Sequence, residues 1–403
     1  MIPRGAPYIS WTDLLAGSVY CVLPGSADAL QRNIEALWAP NTVASLSVRS
    51  GLDALLHVFA FPRGSEIIVS AITIPHVVDI LLEYGLVPVP VDIDLATLAI
   101  DADDVRSAIT PRTKAILVAH VFGSRMPLDE IVAVAREHSL PLLEDCAQAN
   151  DGSAWRGHAD ATVSMFSFGS IKRQTALGGG VLRFRDAALA GQVRQQQATY
   201  ARQSRGSYLK RVGTMMVLKA VTARAMFNVF IGFCNVRGMD HDKTLGTALR
   251  AFSKGDLFVR LRQQPSVPLL RMLQRRLRQS LVESVAERVA IVDVVTSEFP
   301  ELNRPGTEAL RHSHWLFPML TTEPEELMHQ LWARGFDATC GASNLISVKA
   351  PAGCAVPVQA ERLMDEVLYL PLYPSASPSE MRELARAVRE LEHVPDRAHA
   401  ALS

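Results

Sequence analysis

The sequence predicts an α/β fold with a mostly parallel central sheet flanked by helices, followed by a smaller α/β C-terminal domain. Between residues 40 and 185, short β-branched runs alternate with longer segments whose apolar residues recur at helical spacing. This alternation is typical of parallel strands joined by crossover helices, which cover both faces of a sheet. The chain has 403 residues, of which 48% are hydrophobic, so it can bury a large core and a second, smaller one.

Strands are expected where short β-branched runs are bounded by turns or helical segments. These runs cover residues 65–73, 86–94, 114–122, 140–146, 162–168 and 179–184. Helices are expected between them, in SGLDALLHVFAF, HVVDILLEYG, DADDVRSAI and LDEIVAVAREHS. Ligands of such sheets bind outside the carboxyl ends of the strands. A functional site is therefore expected near Asp145 and residues 167–172, which follow two of the predicted strands.

The chain divides into a large domain, residues 1–260, and a second part, residues 261–403, that contains an interface helix and the small domain. Mixed α/β patterns return there in HWLFPML, PEELMHQLWARG and ERLMDEVLYLPLYPSASPSEMRELARAVREL. Residues 186–260 diverge from the α/β pattern and are predicted to be helical. Within them, residues 214–234 are largely apolar. As a helix, this stretch either packs against the core or a second subunit, the commoner case, or contacts a membrane surface.

Composition excludes several classes of protein. Lys plus Arg and Asp plus Glu both number 41, so no bulk basic field for nucleic acid is expected. The five cysteines are far apart and lack CxxC spacing, which argues against a disulfide framework and against a metal site, and favours a reducing cytoplasm. The first residues do not resemble a secretory signal, and no uninterrupted apolar run has the length of a membrane-spanning helix.

The segment MFSFGSIKRQTALGGGVLRF, residues 165–184, carries the strongest chemical signal. Lys172 lies between the end of a predicted strand and three glycines at 178–180. Partial burial would lower the pKa of this lysine and expose a neutral amine that can attack a carbonyl compound. The alternative is a lysine in an ordinary surface turn. Ser167 at the strand end is either a ligand for an anion or simply a polar residue.

Two further segments favour a functional site. In LLEDCAQAND, Asp145 ends an apolar strand and either serves the site or caps the next helix, and Gln148 is either a site amide or a surface amide. In SVRSGLDALL, Ser50 and Gly51 precede an amphipathic helix. Backbone N–H groups at a helix start bind phosphate, although a Ser-Gly helix start is common in any protein.

Together these motifs resemble the DegT/DnrJ/EryC1/StrS family of sugar aminotransferases, which are pyridoxal phosphate (PLP) enzymes of fold type I. The resemblance rests on "EDxAQA", "FSFxxxK" and "LPLYP" strand ends, which occur in the family's order and spacing. It covers residues 40–185 closely and 306–393 moderately. It implies a fold type I PLP-transferase and a homodimer with sites at the subunit interface.

The resemblance also implies roles for individual residues. Lys172 matches the Schiff-base lysine, Asp145 the partner of the pyridinium nitrogen, and Gln148 the residue beside the phenolic oxygen. The phosphate-binding positions are matched by the serine at the strand end and by three residues of the helix start: Ser167, Ser50, Gly51 and Leu52.

Three departures from the family pattern stand out. The segment TIPH places Ile74 where an aromatic ring usually stacks on the cofactor, so either Ile74 or His76 covers the ring. Leu52 stands where a small residue or threonine is usual. The segment RQQPS places Arg262 where the partner subunit usually supplies an asparagine, and a guanidinium there can still bind phosphate.

The resemblance implies an aminotransferase that moves an amino group from an amino acid, expected to be glutamate, to a keto group of a nucleotide-linked sugar. Its partners are then small-molecule substrates and a second copy of the chain. Three alternatives stay open: a PLP sugar dehydratase, which the presence of Lys172 disfavours; a regulatory protein that keeps the fold without turnover; and an aminotransferase for a lipid-linked or other non-sugar carbonyl. The last is motivated by residues 214–234, through which a cytoplasmic protein could also associate with a membrane.

Overall fold

The computed structural model describes residues 1–244 and 256–392. The helices described in these residues are α1 Trp11–Tyr20, α2 Ala27–Trp38, α3 Val48–Phe59, α4 Pro75–Glu83, α5 Ala102–Ala108, α6 Asp129–Glu137, α7 Ala187–Ala198, α8 Arg205–Val221, α9 Arg224–Val236, α10 Leu257–Leu261, α11 Val267–Leu277, α12 Val282–Glu298, α13 Pro324–Ala333, α14 Val358–Glu366 and α15 Pro378–Glu392. The strands are β1 Thr42–Ser45, β2 Glu66–Ser70, β3 Ile72–Thr73, β4 Val87–Val91, β5 Thr113–Ala119, β6 Ser124–Arg125, β7 Leu142–Asp145, β8 Val163–Ser167, β9 Gly180–Phe184, β10 Ala201–Arg202, β11 Gln263–Gln264, β12 Arg311–His312, β13 Pro318–Leu320, β14 Ile346–Ser347 and β15 Val367–Tyr369.

The central sheet has seven strands in the order β1-β9-β8-β7-β5-β2-β4. The pairings β2 with β4, β2 with β5, β5 with β7 and β7 with β8 are parallel, whereas β9 runs antiparallel to both β8 and β1. The predicted α/β fold with a mostly parallel sheet is therefore confirmed, and each predicted strand of the first half is present. Sequence patterns missed β1, a fully buried four-residue strand without polar alternation.

Helices cover both faces of this sheet. Successive side chains of each strand point to opposite faces, and each face packs against helices in its own hydrophobic core. On one face, Ile67 and Leu117 pack with residues of α3, α4 and α7. On the other, Ile68 and Val118 pack with residues of α6. Further along that second face, Phe166 packs with residues of α1, α2, α8 and α11. Near-continuous apolar strands are what a sheet buried on both faces requires.

A separate hydrophobic cluster organises the C-terminal part. It joins α12, α13 and α15 to β13 and β15, and it includes Ile2 from the start of the chain. Helix α11, which the sequence grouped with this part, instead packs against α1 and α2 beside the large sheet. The long helix of the C-terminal part is α12, which begins at Val282.

The apolar stretch 214–234, which the sequence suggested as one helix, belongs to two helices. Helices α8 and α9 are separated at Thr222 and Ala223 and meet at 91°. Among the described residues, no single helix has the length and apolar character needed to cross a membrane, and only this bent pair meets those criteria when its members are taken together.

Candidate active site

The carboxyl ends of β7 and β8 bring the predicted reactive residues together. Asp145, the last residue of β7, pairs in register with Met165 of β8, so Asp145 and Ser167 end adjacent strands. The loop after β8 then folds back, because the N–H of Lys172 donates to the carbonyl of Gly169 at 3.0 Å. The site thus lies at the sheet edge that the sequence predicted.

The glycines after Lys172 allow helix α3 to approach the sheet. Gly178 and Gly179 have φ of 150° and 97°, in the region that favours glycine. At Gly180, a Cβ atom would lie 2.4 Å from the backbone nitrogen of Val48, the first residue of α3. Any other residue at position 180 would push α3 away. The glycine run therefore brings the N-terminus of a helix next to the loop that carries Lys172.

The amine of Lys172 is suited to nucleophilic attack and proton transfer. Burial lowers its pKa to about 8, and the positive charge of Arg49 acts in the same direction, while Asp145 opposes both. Its Nζ lies 3.9 Å from the centre of the Trp315 ring. A substantial fraction of this lysine is therefore neutral near physiological pH, unlike an ordinary surface lysine.

Asp145 is a buried carboxylate with little internal compensation. Its Oδ1 accepts a hydrogen bond from the N–H of Ala147 at 2.8 Å. Burial nevertheless raises the pKa of Asp145, because this bond and the charge of Lys172 only partly offset the lost hydration. A cationic group beside it would restore the ionised form. The protonated ring nitrogen of PLP is such a group, so this observation fits the cofactor that the sequence implied.

Behind Asp145, His120 and Glu144 form a fixed pair. Nδ1 of His120 accepts from the N–H of Met126 at 3.2 Å, so a neutral ring carries its proton on Nε2 and donates it to Glu144 at 3.0 Å. Although burial raises the pKa of Glu144, hydrogen bonds from His120, Ser164 and the N–H of His158 lower it overall. The Glu144 carboxylate is therefore already hydrogen-bonded within the protein. Asp145 is the carboxylate that remains available to a ligand.

The start of helix α3 has the features of an anion site. Ser47 caps the helix, its Oγ accepting from the N–H of Ser50 at 3.1 Å. Arg49 lies in the first turn, where a cation is opposed by the helix dipole. Burial lowers the pKa of Arg49, as do the charges of Arg260 and Arg211. Such an accumulation of cations is stabilised by a bound anion, so the site also fits the phosphate of PLP.

Two other residues at predicted phosphate-binding positions, Gly51 and Leu52, make contacts within the folded chain. The N–H of Gly51 donates to the carbonyl of Ser47 at 3.0 Å, within the helix. The side chain of Leu52 is 1% exposed and packs in the core. Leu52 therefore cannot offer a side chain to a ligand. Ser167 is half-buried, and its Oγ accepts a long bond from the N–H of Gly169 at 3.4 Å.

The two candidates for covering the ring take different positions. Nδ1 of His76 lies 2.8 Å from Nη1 of Arg49, and burial and the charge of Arg49 lower the pKa of His76. Ile74 precedes α4 and packs against the cores on both faces of the sheet. His76 thus contacts Arg49 at the anion site, whereas Ile74 offers an apolar side chain beside the sheet. Which of them covers a bound ring stays a prediction.

Gln148 and Arg262 have partners of their own. Oε1 of Gln148 accepts from the N–H of Phe122 at 2.8 Å. Arg262 pairs with the buried carboxylate of Asp53 through two bonds of 3.1 and 3.2 Å, and Glu83 lies 3.6 Å away. The guanidinium therefore binds within its own chain, and its predicted role across a dimer interface stays a prediction.

Sequence reasoning missed three residues of the site, Ser47, Arg49 and Trp315. Arg49 had a weak local signal, since the helix dipole disfavours a cation in the first turn and a bound anion offsets this. Trp315 had none, because only the fold brings it to Lys172. Two buried arginines hold its segment: Arg173 donates to the carbonyl of Ser313, and Arg288 donates to those of His314 and Trp315 at 3.0 and 2.7 Å.

Comparison with known proteins agrees with this geometry. The model of the DegT/DnrJ/EryC1/StrS aminotransferase family matches residues 29–228. The L-glutamine:2-deoxy-scyllo-inosose aminotransferase of Streptomyces lividus is 38% identical over 159 residues, which are 39% of this chain and 37% of that protein. The alignment thus spans well under half the length of this relative.

Solved structures agree over nearly the whole chain. The aminotransferase TlmJ from Streptoalloteichus hindustanus superimposes with a TM-score of 0.68 at 19% identity, covering 97% of this chain and 98% of that one. DesI, solved in the presence of its TDP-sugar product, gives a TM-score of 0.66 at 19% identity, covering 97% and 92%. At such identities the likeness shows the fold, and it confirms fold type I.

Proposed function

We infer that this chain belongs to the DegT/DnrJ/EryC1/StrS aminotransferase family, whose model matches residues 29–228 and whose members depend on PLP, and we propose that it transfers an amino group from an amino acid to a keto group. The observation that carries the proposal is that Asp145, a buried carboxylate of raised pKa, ends β7, while Lys172, of lowered pKa, lies in the loop that follows the adjacent strand β8. The net reaction converts the donor to a keto acid and the ketone to an amine.

Different residues of the chain carry out proton transfer, ring binding and phosphate binding. When bound, PLP supplies an electron sink that makes the proton on the donor's α-carbon removable. Nζ of Lys172 takes that proton and, in the second half reaction, returns one to the former keto carbon of the acceptor. Asp145 holds a positive charge at the ring nitrogen. The helix start with Ser47, Arg49 and Ser50 holds the phosphate, and Trp315 shields Lys172 from water.

The acceptor we propose is a carbohydrate-like ketone, in the first place on a nucleotide-linked sugar. DesI was solved with a TDP-sugar product, which supports the nucleotide, whereas the Streptomyces relative is named for a cyclitol ketone. The donor we propose is glutamate, with glutamine as the alternative that the same relative's name suggests. We further propose a homodimer with sites at the subunit interface.

A second acceptor class is favoured by the outward apolar side chains of α9. Val229 and Phe233 there are 63% and 50% exposed. A protein held on a membrane by such residues would meet lipid-linked ketones more often than soluble ones.

The test is amine acceptance measured by mass spectrometry. PLP-loaded protein is incubated with nitrogen-15 glutamate or glutamine and with a panel of nucleotide-linked keto sugars, cyclitol ketones and lipid-linked ketones. The proposal expects label in one amine product and release of the keto acid, with Lys172→Ala as the blank. Absence of keto acid from every donor would refute amino transfer, while label confined to the lipid panel would change only the acceptor.

A further inference from the structure

Helices α8 and α9 lie in a stretch of the chain whose charged residues are all basic. From residue 187 to 239 the sequence has eight lysines and arginines and neither aspartate nor glutamate, although the whole chain is neutral. Arg224 pairs with Glu380, and Arg205 donates to two backbone carbonyls near α1. In the part of the chain that the structure describes, Lys210, Lys219 and Arg237 have no carboxylate partner.

The same helices expose large apolar side chains. On α9, Met226, Val229, Phe233 and Val236 are 51%, 63%, 50% and 86% exposed. Their spacing of three, four and three residues places them on one side of the helix, opposite the buried Phe227. We call Leu209 and Val217 of α8, which are 47% and 63% exposed, the four exposed side chains of α9, and the exposed cations Lys210 and Arg237 the α8–α9 surface.

Helix α1 extends the exposed apolar area. Gly17 lets it pack closely on α8, since a Cβ there would lie 3.2 Å from a methyl group of Val212. On its outer side, Trp11, Leu15 and Val19 recur every four residues and are 48%, 60% and 52% exposed. Neighbouring helices with outward apolar stripes are uncommon on a protein that meets only water.

Charge decides what covers this surface. In a two-fold contact between copies of the chain, each patch faces itself, so the unpaired cations of one copy would face those of the other. An anionic bilayer offers the complementary charge, and its interface accepts Phe, Val, Met and Trp side chains. We propose that the α8–α9 surface docks the protein on membranes that contain anionic lipids, with α8 and α9 lying in the interface plane. This docking is independent of amino transfer.

Vesicle flotation of the full-length protein tests the proposal. The probes are vesicles of phosphatidylcholine and vesicles in which about a third is phosphatidylglycerol, at low and high salt. We expect flotation with the anionic vesicles only, weakened by salt. Lys210→Gln with Arg237→Gln should reduce the affinity by about tenfold or more, because each cation near an anionic surface adds to binding. Lys349→Gln is the matched control and should change nothing.

The apolar contribution is tested by a second pair of variants. Val229→Ser with Phe233→Ser should reduce flotation by about tenfold or more, because buried apolar area drives interfacial binding. The control is Val356→Ser with Val358→Ser, two valines that are 57% and 61% exposed elsewhere. Circular dichroism and sedimentation accompany all variants. Equal flotation with both lipids, equal loss in the control, or dissociation of an oligomer by Val229→Ser with Phe233→Ser and no change in flotation would each overturn the proposal.

Discussion

The site around Lys172 and the α8–α9 surface depart from ordinary protein architecture in opposite directions. The site buries charges: a lysine, an aspartate and an arginine whose pKa values are all shifted by burial. The surface exposes apolar side chains, among them Val236 at 86%. Buried charge and exposed apolar area both cost free energy in the isolated protein.

The free-energy cost of each region is offset by a different kind of partner. Buried charges are compensated by a small ligand of complementary charge that fits between strand ends and a helix start. An exposed apolar surface requires a large partner. The two regions should therefore respond to different perturbations, and substitutions in one should leave the behaviour of the other intact.

The largest effect is expected at Lys172. Lys172→Ala should lower the rate of amino transfer by about 100- to 10,000-fold or more, because it removes the group that moves the proton. Vesicle flotation should stay unchanged. The matched variant Val229→Ser with Phe233→Ser should show the reverse pattern with a soluble acceptor. Transfer at the normal rate by Lys172→Ala, measured as keto acid formation, would contradict the assignment.

Asp145 should show opposite effects on the apoprotein and on the enzyme. Its raised pKa means that the native state binds a proton which the unfolded chain has already released, so apoprotein stability falls as pH rises above the usual carboxyl range. Asp145→Asn should therefore raise the melting temperature of the apoprotein at neutral pH. It should also lose the equivalent of about 3 to 5 kcal/mol in catalysis or cofactor binding, because a paired buried charge loses its partner.

Thermal melts with and without PLP check this expectation. Asp94→Asn, a change at an exposed loop residue, serves as control. A variant Asp145→Asn that turns over normally would remove Asp145 from the site.

Arg49 should distinguish phosphate binding from ring binding. Arg49→Met should weaken PLP affinity by about 10- to 100-fold, as expected for loss of hydrogen bonds to a charged group. Pyridoxal, which lacks the phosphate, should bind to the variant and the parent protein alike. Fluorescence titration of the apoprotein with both aldehydes measures the two affinities. Equal weakening of both would mean that Arg49 serves the fold and not the phosphate.

Arg262 should have a smaller and mainly structural effect. Arg262→Ala should cost about 1 kcal/mol of stability, a modest value because the arginine side chain is 38% exposed. The cost should vanish in an Asp53→Asn background, as a double-mutant cycle would show. PLP affinity should not change. A loss of PLP affinity in Arg262→Ala but not in Asp53→Asn would instead support the role across the dimer interface.

The smallest effect is expected at Trp315. A cation over an aromatic ring favours the charged amine, so Trp315→Leu should lower the pKa of Lys172 further, by about half a unit to one unit. Carbon-13 methylation of the apoprotein lysines and an NMR titration would follow Lys172, whose pKa burial already lowers to about 8. An unchanged or raised pKa would show that the ring contributes only to packing.

Much of the fold and part of the site could be predicted from sequence, for local reasons. The strands that end at Asp145 and Ser167 are short, largely apolar runs that finish in polar residues, and both features are local. The lysine and the glycine run were visible in one segment of twenty residues. Strand β1 was missed because four buried residues carry no periodicity.

The remaining features depend on tertiary packing. Trp315 lies 143 positions after Lys172 in the sequence, and only the folded C-terminal part brings them together. Leu52 was predicted at a phosphate-binding position of the helix start; because the helix starts at Val48, the leucine side chain packs in the core, and its role toward a ligand stays a prediction. The break between α8 and α9 at Thr222 interrupts an apolar run whose composition gave no warning of it.

The proposed function requires that PLP binds at the ends of β7 and β8 and is bonded covalently to Lys172. The most direct measurement is borohydride reduction of the PLP-loaded protein, followed by proteolysis and mass-spectrometric mapping of the modified peptide. We expect one stable adduct, on Lys172, that is absent from Lys172→Ala. An adduct on another lysine, or no adduct after loading, would contradict it.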